Sequence, residues 1–461
     1  MTKLRSHFCL TIILCLVAIS VYSLLFNKYR PAEIDDPWIA SYVWNITHLD
    51  TTDDSVFGYP SNVRYFGHIH AKIVGPIADQ FGWTKSTFYS INLICVILAA
   101  FAWFLVAYKL LGCKLKAFLF VLIIFLLEPF LGAAYKTRWD AMNFMLVSWG
   151  VAGAVHRRYF IGTLLISLAV EIHAISGVGY FLILAILISD FSKADYNLKS
   201  LRKPVLAVIA AASIGFIIYR YLHPEPLSEI FSYLNESNEA TTKSFNALSS
   251  HYFQREYYRF IPELLFWFCG ASLYFWQKKT LFKPQNTLIT LFWATILASI
   301  VIHRGNFHYV IFFYPPIFLL ALEGFWGSRL RWLGLGALVL YAIILSGAIY
   351  YKNRHVDNSS FDASIIRLFE DTGKINTTEP ILGPANAWFP LRDRKIYCYK
   401  TALIKDVGAW PDKILYISSV YTDPLPDCAR YTYQLGHSFI FNQSEVSLWE
   451  VDLNNCSKET E

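Results

Sequence analysis

Charge is scarce in this chain. Asp, Glu, Lys and Arg make up 16% of its 461 residues, against 55% hydrophobic side chains and 17% aromatic ones. A single soluble domain is excluded by that balance, because long apolar runs recur from the N-terminus to about residue 350, as in a polytopic helical membrane protein. Metal-ligand spacing is also lacking. Of the eight cysteines, Cys9, Cys15, Cys95 and Cys269 fall inside apolar runs and read as packing residues. Cys398, Cys428 and Cys456 lie in a more polar tail, where one disulfide can form if the tail is extracytoplasmic. Stacking aromatics interleaved with Lys and Arg are missing outside the apolar runs. The formal charge of +6 is therefore no nucleic-acid signal. No small-residue cleavage site follows the first apolar run at Asn27-Lys28-Tyr29, so that run, preceded by Lys3 and Arg5, reads as an uncleaved signal-anchor.

What is present is a chain of about eleven expected spans, near 8–26, 88–108, 117–133, 141–155, 159–173, 174–189, 204–222, 261–276, 286–303, 308–326 and 332–350. Their orientation follows from the loops. With the N-terminus cytoplasmic, every second loop is basic: Lys109, Lys114 and Lys116; Arg157 and Arg158; Lys193, Lys199, Arg202 and Lys203; Lys278, Lys279 and Lys283; Arg329 and Arg331. The acids among them are Asp190 and Asp195. Positive charge stays inside, which puts the C-terminus outside. The expected fold is mainly α: a polytopic helical membrane domain (1–350) with an interfacial first loop (27–87), then a small extracytoplasmic α/β domain (351–461). In that tail Ser364–Phe369 has helical spacing, and 413–420 and 446–453 read as strands. Asn-x-Ser/Thr triplets at Asn45, Asn235, Asn358, Asn376, Asn442 and Asn455 all fall on the expected outside.

The polar residues of the outer side are the chemically interesting ones. Three carboxylates crowd into Glu33-Ile34-Asp35-Asp36 just after the first span. His68, His70 and Lys72 follow in the same loop. Lys136, Arg138 and Asp140 precede the fourth span, Glu171 and His173 stand where the fifth meets the sixth, and Arg304, His308 and Tyr309 close a later turn. Ionisable groups at membrane depth are costly and face a cavity or a partner, so their gathering at one leaflet implies one polar pocket. Arg and Lys there suit a lipid-linked phosphate, and a carboxylate suits general-base work on a hydroxyl. Bland readings stand beside these. Arg138 with Asp140 also reads as a structural ion pair at a helix end, His173 as a hydrogen-bonded interface residue, and Lys72 and Lys136 as snorkelling cations. His308-Tyr309 also reads as an interfacial belt pair. The i, i+2 spacing of His68 and His70 fits no helical metal pair, although nearby Asp35 and Asp36 leave room for a divalent cation.

Together these motifs resemble the type C glycosyltransferase superfamily, polytopic enzymes such as protein O-mannosyltransferases and the aminoarabinose transferase of lipid A. The resemblance rests on the acidic pair Asp35-Asp36, Gly67-His68, the Arg-x-Asp of Arg138 and Asp140, His173, and Arg304 with His308-Tyr309 before Tyr314-Pro315-Pro316. It covers most of residues 1–350 by order and topology. Two departures stand out: Asp36 takes a place where Glu is common, and Ile69-His70 replaces the two prolines that follow the histidine.

The resemblance implies transfer of a sugar from a polyprenyl-phosphate carrier to a lipid, glycan or protein acceptor outside the cytoplasm. Asp35 is then the catalytic base with Asp36 beside it. His68, Arg138, Asp140, His173, Arg304, His308 and Tyr309 line the substrate and phosphate site. No cofactor or metal is required, a divalent cation being admitted, and no nucleic-acid partner is expected. Rival readings are a transporter or flippase of a lipid-linked glycan, against which no inverted repeat is visible, a non-catalytic anchor, and a polymerase or ligase using a diphosphate-linked donor.

Overall fold

The computed structural model describes residues 35–49, 65–230, 261–302, 307–353 and 358–454, apart from positions 126, 135 and short stretches between 393 and 443, together with Ser232 and Cys456. The first expected span, Arg304 and most of the 223–260 loop lie outside the described residues. The helices are α1 (Asp35–His48), α2 (His68–Phe81), α3 (Lys85–Leu111), α4 (Lys114–Phe125), α5 (Glu128–Ala134), α6 (Asp140–Val155) and α7 (Tyr159–Ile172). After a 3-10 turn at Ala174–Gly177 come α8 (Val178–Lys193), α9 (Leu198–Leu222), α10 (Ile261–Lys278) and α11 (Thr287–Val301). A second 3-10 segment, Phe307–Phe312, precedes α12 (Tyr314–Trp326), α13 (Arg331–Asn353) and α14 (Asn358–Asp371).

Among the described residues three segments are long and apolar enough to cross a membrane alone: Lys85–Leu111, Ala174–Lys193 and Leu198–Leu222. Tyr159–Ile172 and Thr287–Val301 are apolar but shorter. The expected count of about eleven crossings is thus not carried by helix length among the described residues, and prolines are part of the reason. The run expected at 117–133 is divided into α4 and α5, with Pro129 at the second position of α5. The run expected at 308–326 is a 3-10 segment followed by α12, which has proline in its first turn. Proline disfavours α conformation in the residue before it and fits best at a helix start.

Local signals define the longest elements. Thr84 caps α3 by accepting from the Thr87 N–H at 3.3 Å, and Gly112 at φ 66 ends it in the left-handed region. Asn286 caps α11 through its side-chain oxygen. Helices pack closely where side chains are small: a Cβ at Gly162 of α7 would lie 2.6 Å from the Gly150 carbonyl oxygen of α6. α9 leans on α7 but buries little else than Ala211 and Gly215, leaving Leu206, Ile209 and Ile217 bare.

The tail forms a mixed sheet of β1 (Ile381–Leu382), β2 (Ile396–Tyr397), β3 (Lys413–Ser418), β4 (Arg430–Gln434), β5 (Phe439–Phe441) and β6 (Ser444–Asp452). The strand order is β2-β1-β3-β6-β4, with β5 also paired to β6. β1 is parallel to β2 and β3, whereas β3 and β4 run antiparallel to β6. Period-2 alternation splits β3: Leu415 and Ile417 join the core shared with the helices, and Ile414 and Tyr416 join a second core on the other face. That second face is closed by the disulfide Cys428–Cys456. The tail is fastened to α1 and α3. Lys85 reaches Asp362 at 3.2 Å, Phe389 packs on Phe88, and the Arg392 guanidinium lies over Trp44. Asn45 is buried, which closes the first Asn-x-Thr triplet to a glycan.

Inside the tail, Glu450 accepts from Lys413 at 3.0 Å and Lys374 at 3.1 Å. These hydrogen bonds hold its carboxyl below the usual range. On acidification the unfolded chain takes up this proton first, so the stabilisation is complete above the ordinary Glu value of about 4.5 and is lost as pH falls through the folded value. Thermal unfolding of the full chain in detergent is expected to show the wild-type midpoint falling more steeply than that of Glu450→Gln between about pH 5 and pH 3.

Candidate functional site

Several of the polar residues singled out in the sequence meet around the start of α2. Gly67 precedes that helix at φ 86, a backbone conformation that glycine adopts without strain. Its N–H donates to the Glu171 carbonyl at 2.8 Å. The Glu171 carboxylate then accepts from the next two N–H groups, His68 at 2.8 Å and Ile69 at 3.1 Å. A carboxylate on the first N–H groups of a helix satisfies orphan donors and meets the positive end of the dipole. The same carboxylate receives His223, the residue after α9, at 3.0 Å. Glu171 is 1% exposed and His223 0%. One buried acid therefore joins the end of α7, the start of α2 and the end of α9.

His68 leads α2. Its ring lies edge-on to His223 with centroids 4.5 Å apart, and Nδ1 is 3.5 Å from the Tyr42 hydroxyl. Tyr42 itself donates to the Phe66 carbonyl at 2.7 Å. Burial first, then the charges of His223 and Lys72, push His68 down to about 4, so it is neutral at pH 7. His70 is fully buried with no hydrogen-bond partner on either ring nitrogen, and burial pushes it to about 3.

Trp139 is the aromatic centre of the cluster. Its ring lies 6.1 Å from Tyr42, 6.2 Å from His70 and 6.0 Å from His173. A Cβ at Gly67 would stand 2.7 Å from its Cζ3. The charged neighbours of Trp139 form a buried pair, Arg138 Nε donating to Asp140 Oδ2 at 2.6 Å. Asn92 of α3 holds the chain here by donating to the carbonyls of Lys136 and Arg138. Asp140 Oδ1 and Asn143 Nδ2, one turn apart on α6, are buried without partners. Ser176 donates to Asn143 Oδ1.

His173 has a defined tautomer. Its Nδ1 accepts from the Ile175 N–H at 3.1 Å. In the neutral ring Nε2 then carries the hydrogen and donates to the Tyr309 hydroxyl at 3.1 Å. Asp35 and Asp36 open α1, seven and six residues before Tyr42 on the same helix. Their side chains and that of His308 are outside the described residues, as is Arg304 altogether. Of the residues singled out in the sequence, the structure brings together His68, Arg138, Asp140, His173 and Tyr309. Sequence reasoning passed over Tyr42, Trp139, Asn143 and His223. A histidine directly after an apolar run was the available signal for the last.

Ligand atoms of His68, Glu171 and His223 all lie within 4.8 Å of one another. Two imidazoles and a carboxylate are a zinc-type donor set. However, Glu171 Oε1 already accepts from His68 N–H and His223, and Oε2 from Ile69 N–H. A cation would displace the His223 contact. The set fits a helix cap with a buried histidine–carboxylate hydrogen bond better than a metal centre.

No family model matches the chain, and no curated protein matches it in sequence. Its fold is found among solved structures. ArnT from Cupriavidus metallidurans bound to undecaprenyl phosphate superposes with a TM-score of 0.58 at 12% identity, over 96% of this chain and 98% of that one. The same protein in the apo state gives 0.58 at 11% identity with the same coverage. The resemblance drawn from short motifs is thus matched by a likeness of fold along nearly the whole chain.

Gly67→Ala forces a left-handed alanine against Trp139 and is expected to cost about 2 kcal/mol or more. Glu171→Gln replaces one acceptor oxygen with an NH2 group that cannot accept from His68, Ile69 or His223, at a similar cost of about 2–3 kcal/mol. Thermal unfolding in detergent checks both: each variant is expected to melt well below the wild type, while a substitution at exposed Lys72 leaves the midpoint unchanged.

Proposed function

We propose that the chain is an integral membrane glycosyltransferase that moves a sugar from a polyprenyl-phosphate carrier to an acceptor hydroxyl on the extracytoplasmic side. The observation that carries this reading is the likeness to ArnT over 96% of the chain, one of whose structures holds undecaprenyl phosphate. The reading is supported by the polar cluster built from α2, α6, α7 and the 3-10 segment before α12. Residues 1–350 would form the catalytic membrane domain. Residues 351–461 would be extracytoplasmic, in keeping with the disulfide Cys428–Cys456 and with the basic loops of the other side.

In this mechanism Asp35, aided by Asp36, removes the proton from the acceptor hydroxyl. The acceptor oxygen forms a bond to the anomeric carbon while the bond from that carbon to the phosphate oxygen breaks. Polyprenyl phosphate leaves with the electron pair, so the anomeric centre inverts. Arg138, oriented by Asp140, and Arg304 hold the phosphate, and Arg is suited to this by its planar fork of donors. The hydroxyl of Tyr309, which accepts from His173, can turn its own proton toward a sugar or phosphate oxygen. His68 is neutral and serves by position, at the helix start under Glu171. The departing phosphate is a good leaving group at neutral pH, so neither a general acid nor a metal is needed.

Membranes supplied with radiolabelled polyprenyl-phosphate sugars test the proposal. Wild type is expected to transfer label, and Asp35→Asn to lower the rate by about 10²–10⁴-fold while remaining inserted and folded. Unchanged transfer by Asp35→Asn removes Asp35 as the base, and absence of transfer from any donor moves transport of a lipid-linked glycan to the front. Transfer by the wild type is further expected to survive EDTA.

A further inference from the structure

The candidate site occupies one end of the bundle, and a separate cavity occupies the other. α7 runs from Tyr159 at this far end to Glu171 at the site, and α9 runs from Leu198 back to His223. α8 leaves the site at Val178 and returns to the far end at Lys193. Between these far ends lies an open cleft of about 690 Å³. Nothing in the transfer mechanism uses it.

The lining combines two chemistries. It carries Arg157, Arg158 and Lys203 with the single acid Asp190. Asp190 is already occupied: Tyr159 donates to it at 2.8 Å, and Arg157 and Lys193 pair with it at 3.2 and 3.7 Å. Arg158 and Lys203 have no carboxylate within ion-pair distance among the described residues. The rest of the lining is largely apolar, including Phe160, Ile161 and Leu187. Beyond the mouth the bare side chains Leu206 and Ile209 continue along α9.

We propose that this cleft seats the headgroup of an anionic phospholipid from the leaflet opposite the candidate site. Arg158 and Lys203 take the phosphate, and an acyl chain follows the apolar track on α9. Basic pockets between membrane helices recognise lipid headgroups in this way. A free phosphate would use the cations but none of the apolar lining, which argues for the lipid. The inference rests on the membrane reading of the chain and is independent of the transfer reaction.

The test is lipid retention by the full chain, purified in detergent, stripped of lipid and offered equal phosphatidylglycerol and phosphatidylcholine before native mass spectrometry. Wild type is expected to retain phosphatidylglycerol preferentially. Arg158→Gln with Lys203→Gln is expected to lose about tenfold of that preference. Neither side chain makes a hydrogen bond among the described residues, so an unchanged melting temperature will show that the fold is intact. The pair Lys279→Gln and Lys283→Gln removes equal charge at the same end of the bundle and is expected to keep the preference. Equal retention of both lipids by the wild type overturns the proposal. So does an undiminished preference in the Arg158/Lys203 variant, an equal loss in the Lys279/Lys283 variant, or complete displacement of the lipid by inorganic phosphate.

Discussion

The arrangement of the candidate site depends on one buried carboxylate. Glu171 holds the first two N–H groups of α2, and its own carbonyl takes the Gly67 N–H. Its third attachment, to His223, draws in the end of α9. A buried acid with so many donors is costly to alter, because removing the carboxylate leaves two backbone N–H groups without acceptors and a histidine without a partner. The position of His68 and the packing of Gly67 against Trp139 follow from that anchor. Trp139 in turn sets where Arg138 and Asp140 emerge.

From that frame the chemistry divides between two kinds of support. The positively charged side is rigid: Arg138 is paired to Asp140, and Asn92 fixes the carbonyls on either side of Thr137. The hydroxyl side is the hydrogen bond between His173 and Tyr309. Buried polar atoms left over on Asp140 and Asn143 mark the start of α6 as the place where a polar ligand would find partners. The tail is bound to the helix carrying Asp35 through Trp44 and Arg392, so an acceptor held by the tail would approach that carboxylate from a fixed direction.

Much of the architecture was legible because its signals are local. Hydropathy located the apolar helices and the strand pattern located β3 and β6, whereas Pro129, Pro315 and Pro316 lie inside runs that were read as single spans. The gathering of His68, Arg138, Asp140, His173 and Tyr309 was legible from loop position alone, since each stands at an end of an apolar run on one side. What was not legible is tertiary. Glu171 was seen as an acid beside His173, but its service to α2, a hundred residues earlier in the chain, depends on how α7 meets that helix. His223 acquires meaning only from the same contact, and Trp139, between two charged residues, gains its role only from the rings that surround it. The bland reading of Arg138 with Asp140 as an ion pair is present in the structure, and it is compatible with a role in holding phosphate.

The unequal lengths of the helices have a mechanical consequence. α7, with 14 residues, reaches about 21 Å, and α11, with 15 residues, about 23 Å, whereas α9, with 25 residues, reaches about 37 Å. A bilayer of about 30 Å matches none of them, so it must thin beside the short helices while α9 tilts to stay submerged. The protein would sit in a dimple of its own making. Lipid headgroups there would sink toward the bundle, and under the proposed function a carrier phosphate would sink with them toward the candidate site, so that membrane thickness would bear on turnover.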